Sequence, residues 1–201
     1  GLQAMLDGMP QEDPVGKQTG LGYPLGEVTS AMIKELRFGH EEEAAYWALE
    51  LYETVPYYCW KRLLLFSSED VGLGDPQAVQ QVAALALAWS LEASFSRHPY
   101  VDPEQVVQAV LTLARAQKDT TVDDLKNLTQ LRRKEAKVPG SQYRLEIPDY
   151  ALDCHTQRGR EMGRGNLHWY SMRGRYLPKK SPYQTKLELE FPNYVFTEEG
   201  K

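Results

Sequence analysis

Residues 155–180 hold seven cations, Arg158, Arg160, Arg164, Arg173, Arg175, Lys179 and Lys180, against one acid, Glu161. His155, His168, Trp169, Tyr170 and Tyr176 are interleaved with them. Guanidiniums bind phosphates and flat rings stack on bases, which is what single-stranded or branched nucleic acid requires. Arg, Trp and Tyr also dominate the hot spots of protein interfaces, and arginines pair equally well with a domain's own acids. Three readings therefore stand: a nucleic-acid contact, a partner or oligomer contact, and internal structure. The candidate contact residues are Arg158, Arg160, Arg164, Trp169, Arg173 and Arg175.

The other groups able to do chemistry do not assemble into a catalytic set. Glu69 and Asp70 are adjacent, and successive helical residues point about 100° apart, so the pair does not converge on one metal or proton. They read as part of a helix corner, with one acid reaching backbone donors near Asp75. The histidines, His40, His98, His155 and His168, form no HExxH pattern, and Cys154 and His155 are too close in sequence to share a tetrahedral site comfortably. An enzyme working from Glu69, Asp70 and His155 lacks a complete constellation. GREMGRG (159–165) follows a helical stretch rather than a strand, which makes a poor phosphate cradle. There is no Walker A loop, dinucleotide motif or serine elbow. No catalytic residue, metal or cofactor is therefore expected.

These side chains must be positioned by helices. The central stretch is YYCWKRLLLFSSEDVGLGDPQA, Tyr57 to Ala78, a helix, a corner and the start of the next helix. Its Leu63 to Phe66 run is apolar nearly all round, as in a helix enclosed by others. Gly72 and Gly74 reach positive φ cheaply and end it, and Asp75 caps a helix with Pro76 at its first position. The structural corner is thus Glu69, Asp70, Gly72, Asp75 and Pro76.

In chain order, residues 1–26 are rich in Gly and Pro and read as an irregular tail or linker packed on a neighbour. A helix is predicted from Glu27 to Gly39, capped by Thr29 or Ser30, and a second from His40 to Thr54. The central helix begins at Pro56, so these two are antiparallel neighbours. A long Ala-rich helix runs from Pro76 to about Ser96. Asp102-Pro103 opens a fifth helix, Thr120 or Thr121 a sixth, and Pro139-Gly140 breaks the chain. Pro148 to Met162 reads as a seventh, polar helix. Lys186 to Phe191 alternates like an edge strand with Tyr194 to Phe196 as a possible partner, a short β-hairpin. The fold class is all-α, an antiparallel helical bundle with a small irregular C-terminal appendage. Its expected divisions are 1–26, 27–138 and 139–201.

The bulk composition fits this. The 201 residues carry a net charge of −5 with 42% hydrophobic and 25% charged residues, ordinary for a globular chain and unsuited to coating nucleic acid over its whole surface. Two cysteines are too few for a disulfide framework, and reduced thiols in the cytoplasm are expected. No run approaches the 18 apolar residues of a membrane span.

With these residues in view, the chain resembles the C-terminal region of the RarA-type AAA+ ATPases, the family of bacterial MgsA and the eukaryotic Werner-helicase-interacting ATPase. The likeness begins at SAMIKELRFGHEEEAAYWALELY (30–52) and is sharpest at KRLLLFSSEDVGLGDPQAV (61–79). It continues through VVQAVLTLARAQKDTTV (106–122) and IPDYALDCHTQRGREMGRG (147–165), and about two thirds of the chain is covered. The Walker and sensor motifs of the AAA+ module are absent. The resemblance implies a clamp-loader-collar-like domain driving homotetramer assembly at replication forks and in recombination. It also implies single-strand-binding protein, DNA and an AAA+ ATPase subunit as partners, and a cytoplasmic, nucleoid-associated setting. The leading expectation is a non-catalytic oligomerisation and interaction domain. The alternative is a stand-alone nucleic-acid-binding module using residues 155–180.

Overall fold

The computed structural model describes residues 17–95, 101–176 and 181–193. Every regular element among them is helical, and the one β-like feature is an isolated bridge between Gln18 and Pro24. The chain divides into two units, Gly1–Arg132 and Arg133–Lys201.

In the first unit, α1 (Leu25–Phe38) buries Leu25, Val28, Met32, Ile33 and Leu36, a stripe at helical spacing. It starts earlier than the sequence suggests. Thr29 and Ser30 therefore lie inside it rather than at its cap, and the Thr29 hydroxyl donates back to the Leu25 carbonyl at 2.9 Å. Gly39 ends the helix at φ 76°, a left-handed conformation that an L side chain resists. In α2 (Glu41–Thr54) three glutamates occupy the first turn, where the helix dipole favours them.

The central helix α3 (Pro56–Phe66) has its proline in the first turn, where the missing N–H leaves no bond unmade. It buries Tyr58, Cys59, Trp60, Leu63 and Phe66. It then widens into a single π turn, Ser67–Val71, before Gly72 reverses the chain at φ 48°, ψ −117°. Gly74 is required for a different reason than the one expected. A Cβ there would lie 2.6 Å from the Gln117 carbonyl oxygen, so close backbone approach, not positive φ, demands glycine.

Asp75 caps α4 (Pro76–Phe95) as expected, its Oδ1 accepting the Ala78 N–H at 3.0 Å. By contrast, Asp102 makes no cap. Pro103 occupies that position, and α5 (Glu104–Arg115) begins without a side-chain hydrogen bond. For α6 (Thr121–Glu135) the capping acceptor is Asp119, whose Oδ1 takes the Thr121 N–H at 2.8 Å.

The core of this unit joins α1 to α5. Trp60, Phe66, Met32, Leu36, Leu51 and Leu63 are among its largest enclosed side chains, each contributing about 1.5–3 kcal/mol of burial. A polar thread crosses it. Trp89 Nε1 donates to the Tyr52 hydroxyl at 2.8 Å, and Tyr52 donates to the Val101 carbonyl at 2.7 Å. Tyr57 and Trp60 pack on the same indole, with centroids 5.0 and 6.0 Å away.

The second unit is built from short pieces. A 3-10 turn (Asp149–Ala151) is followed by α7 (Gln157–Glu161), α8 (Asn166–Tyr176) and α9 (Pro182–Glu190). The single helix expected over Pro148 to Met162 is therefore broken. Asp153 Oδ1 accepts the His155 N–H at 2.9 Å, and Thr156 caps the next helix through the Gly159 N–H at 3.0 Å. Short polar side chains that bond nearby backbone compete with helix, and here they win. The edge strand expected over Lys186 to Phe191 is also corrected: Lys186 to Glu190 are helical. Ser181 accepts the Gln184 N–H at 3.1 Å with Pro182 at the first position, a start signal that overrides the alternation of KLELEF. The proposed partner strand, Tyr194 to Phe196, lies outside the described residues.

Candidate interaction face

The arginines of the basic segment divide into two kinds. Arg164 is a staple: its Nη1 donates to the carbonyls of Asp149 and Leu152, both at 2.7 Å, and its Nη2 to Asp149 Oδ1 at 2.6 Å. Its side chain is only 16% exposed. Arg160 donates to the Cys154 carbonyl at 3.1 Å. These two hold the 149–156 loop against α7. A guanidinium suits this work, since its planar fork can serve several carbonyls at once.

Gly159 completes the same clasp. A Cβ at this position would stand 1.9 Å from the Asp153 carbonyl oxygen, so the loop backbone lies directly on the helix. The GREMGRG glycines thus serve backbone packing and turns, with Gly163 in the left-handed region at φ 73°. The signal was present in the sequence as a glycine inside a helical pattern, which often marks close backbone approach.

The other kind faces outward. The Arg173 guanidinium sits 5.3 Å from the centroid of the Trp169 ring, and the His155 ring meets the same indole edge-on at 5.7 Å. Tyr170 packs edge-on against Trp169 at 4.7 Å. Arg158 is exposed on α7. A half-buried indole carrying a cation on one side offers both stacking surface and positive charge to a ligand. Arg175 lies in α8, but its side chain, like Lys179 and Lys180, is outside the described residues.

Asp153, Cys154 and His155 bring three donor atoms within 4.8 Å of one another. His155 Nδ1 lies 3.5 Å from Cys154 Sγ and 3.3 Å from Asp153 Oδ1. Burial, with the Asp153 charge added, pushes the Cys154 thiol up, the opposite of what an activated nucleophile requires. The cluster therefore works as a hydrogen-bonded turn.

In the first unit the helix corner is wired differently from the expectation. Asp70 does not reach backbone donors near Asp75. Its buried carboxylate takes a two-pronged contact from Arg37, Nε to Oδ1 at 2.6 Å and Nη2 to Oδ2 at 3.2 Å. The Asp70 carbonyl accepts the Asp119 N–H at 2.8 Å. Glu69 meets Lys126 at 3.4 Å, and Lys126 also contacts Asp123. Lys118 Nζ donates to the carbonyls of Leu113, Ala114 and Ala116, tying off the end of α5, and burial lowers its pKa. Asp70 thus pins α1 to the corner. Arg37 in the last turn of α1 was not singled out by its sequence, because its partner stands 33 residues away.

Residues 39–188 match the model of the family described as "MgsA AAA+ ATPase C terminal". This chain belongs to that family. Replication-associated recombination protein A of Haemophilus influenzae is 30% identical over 148 residues, covering 72% of this chain and 30% of the relative. The proteins of the same name from Coxiella burnetii and Escherichia coli K12 are 31% and 30% identical over 146 and 153 residues. The chain spans about 30% of the length of these relatives. In MgsA C-terminal terms, the match runs from the α1 exit at Gly39 almost to the end of α9.

Proposed function

We propose that this chain is the oligomerisation and interaction domain of a replication-associated recombination protein and carries no catalysis of its own. The observation behind this is exposed apolar surface on two helices, α4 and α6. Leu87, Leu91 and Phe95, four residues apart on α4, are 55%, 58% and 83% exposed. On α6 no side chain is buried, and Leu125 and Leu131 are 60% and 63% exposed. Stripes of this kind mark association surfaces, and a second copy of the chain is the occupant that a symmetric oligomer supplies. The family resemblance supports a homotetramer as that assembly. Its setting is the cytoplasm, at the nucleoid, with single-strand-binding protein, DNA and an AAA+ ATPase chain as partners. No helix among the described residues is long and apolar enough to cross a membrane.

Replacing Leu91 and Phe95 by Glu tests this. The mass in solution falls while the helical circular-dichroism signal is kept. An unchanged mass contradicts the proposed surface.

A second reading, nucleic-acid binding through the basic segment, is favoured by the Arg173–Trp169–His155 stack. It rests on Arg158, Trp169 and Arg173, because Arg160 and Arg164 are committed to the loop. Salt-sensitive binding of single-stranded DNA that is lost in the Arg158→Ala/Arg173→Ala variant supports it, and absence of binding removes it.

A further inference from the structure

A cavity of about 800 Å³ opens in the first unit between the start of the described chain, α1 and α3. Four cations line it, Lys17, Lys34, Arg37 and Arg62, against one acid, Glu27. This is the reverse of the chain's overall balance of −5. The excess is built by helical spacing. Lys34 and Arg37 stand three apart on α1, on the side away from buried Met32 and Leu36, with Ser30 one turn earlier. Arg62 stands one turn after Tyr58 on α3, so that ring and guanidinium share a face.

The cations are not equally occupied. Asp70 already takes Nε and Nη2 of Arg37. Lys34 donates to Ser30 Oγ at 2.7 Å, a neutral partner that leaves its charge uncompensated. Arg62 Nε is buried and has no hydrogen-bond partner among the described residues. A buried guanidinium N–H without an acceptor is unfavourable, and an anion in the cavity would supply the acceptor.

We propose that this cavity binds a phosphate-bearing ligand of nucleotide size, through Arg62 and Lys34 with Arg37 and Lys17 at its margin. A carboxylate matches one guanidinium, as Asp70 matches Arg37. A phosphate monoester carries nearly two charges and three acceptor oxygens, and so answers several cations at once. The cavity is larger than a bare phosphate needs and lies in the range of small-ligand sites, with Leu25, Ile33 and Tyr58 as apolar wall. The phosphate can come from a free nucleotide or from the end of a nucleic-acid strand. This inference is independent of the assembly reading and of the basic segment in the second unit.

The test is isothermal titration of the 201-residue chain with four probes: 5′-phosphorylated tetrathymidylate, its unphosphorylated form, thymidine 5′-monophosphate and a tetraglutamate peptide. The expected result is binding that requires the 5′-phosphate and weakens about tenfold in Arg62→Gln and in Lys34→Gln, the worth of one charge-assisted contact. Lys34 is exposed, so its variant keeps the test open if Arg62→Gln fails to fold. Binding of both phosphorylated probes assigns a free nucleotide as sufficient, and binding of the oligonucleotide alone assigns a strand end. No phosphate-dependent binding, equal binding of tetraglutamate, or affinity unchanged in both variants overturns the proposal. A monomeric protein that still binds the phosphorylated probes contradicts only the assembly reading.

Discussion

Arg37 Nε stands 2.6 Å from Asp70 Oδ1, a contact that closes 33 residues of chain and locks the exit of the first helix to the π turn after the third. The Asp70 side chain is 9% exposed and that of Arg37 is 51% exposed, so the acid depends on the base more than the reverse. Arg37→Ala leaves a buried carboxylate with one partner fewer and should destabilise the chain by about 1–3 kcal/mol, less than for a fully enclosed pair because water reaches the guanidinium side. Arg37→Met with Asp70→Asn removes both charges and should recover part of that loss. Denaturant midpoints of the three variants check this, and a double variant no better than the single one contradicts it.

Trp89 and Trp60 touch one another, yet they should respond differently to truncation. Trp89 donates to Tyr52, whereas the Trp60 indole N–H is buried with no partner among the described residues. Both substitutions to Phe lose comparable ring area, but only Trp89→Phe removes a hydrogen bond, the one donated to Tyr52. It should therefore be the more destabilising by about 1 kcal/mol, the usual net worth of a buried hydrogen bond. Thermal unfolding of the two variants decides it.

Gly159→Ala places a methyl where the Asp153 backbone already is. The 149–156 loop must lift from α7, and with it the contacts of Arg160 and Arg164. Hydrogen exchange of residues 149–165 should rise by orders of magnitude, while α1 to α5 keep their protection. Protection retained in the loop would contradict the clasp.

At acid pH three partly exposed carboxylates of the first unit, Asp119, Asp123 and Glu41, lose their stabilising contacts together. Thr121 holds Asp119 below the usual carboxylate range, Lys126 does so for Asp123, and Arg115 for Glu41. Because these folded values lie below the unfolded ones, their stabilisation is fully present above the ordinary carboxylate pKa of about 4 and is lost as pH falls through the folded values. Asp119→Asn should flatten the fall in denaturant midpoint below about pH 4 and leave the comparison between pH 5 and 7 unchanged. An acid limb as steep as in the parent chain would show that Asp119 takes no part.

Neither thiol should react quickly in the folded protein. Burial pushes Cys59 far up, and its Sγ sits 3.5 Å from the Ala48 carbonyl; Cys154 is raised as well. Ellman's reagent at pH 7 should label neither within seconds and both after denaturation. Rapid labelling of one native thiol would contradict this placement.

Legibility in the sequence followed locality. Gly39, Pro56 and Asp75-Pro76 act through neighbouring backbone, and each does what its position suggests. Periodicity likewise gave most of the buried stripes of α1 to α5. What stayed hidden is non-local or competitive. Nothing around residue 37 announces Asp70, and nothing near Gly74 announces the Gln117 carbonyl. In the second unit the pattern favoured one long helix, but the Asp153 and Thr156 side chains diverted the backbone. The basic segment was visible as composition. Its division into stapling arginines (Arg160, Arg164) and an outward stack (Trp169, Arg173) depends on a loop 6–15 residues upstream.

The most direct test of the assembly account is the absolute mass of the unmodified chain by light scattering after size exclusion, at two salt concentrations. A collar assembled through apolar α4 and α6 faces should elute at four times 22.9 kDa and keep that mass at high salt, since screening does not weaken hydrophobic contacts. A monomer of 22.9 kDa at both salts would contradict it.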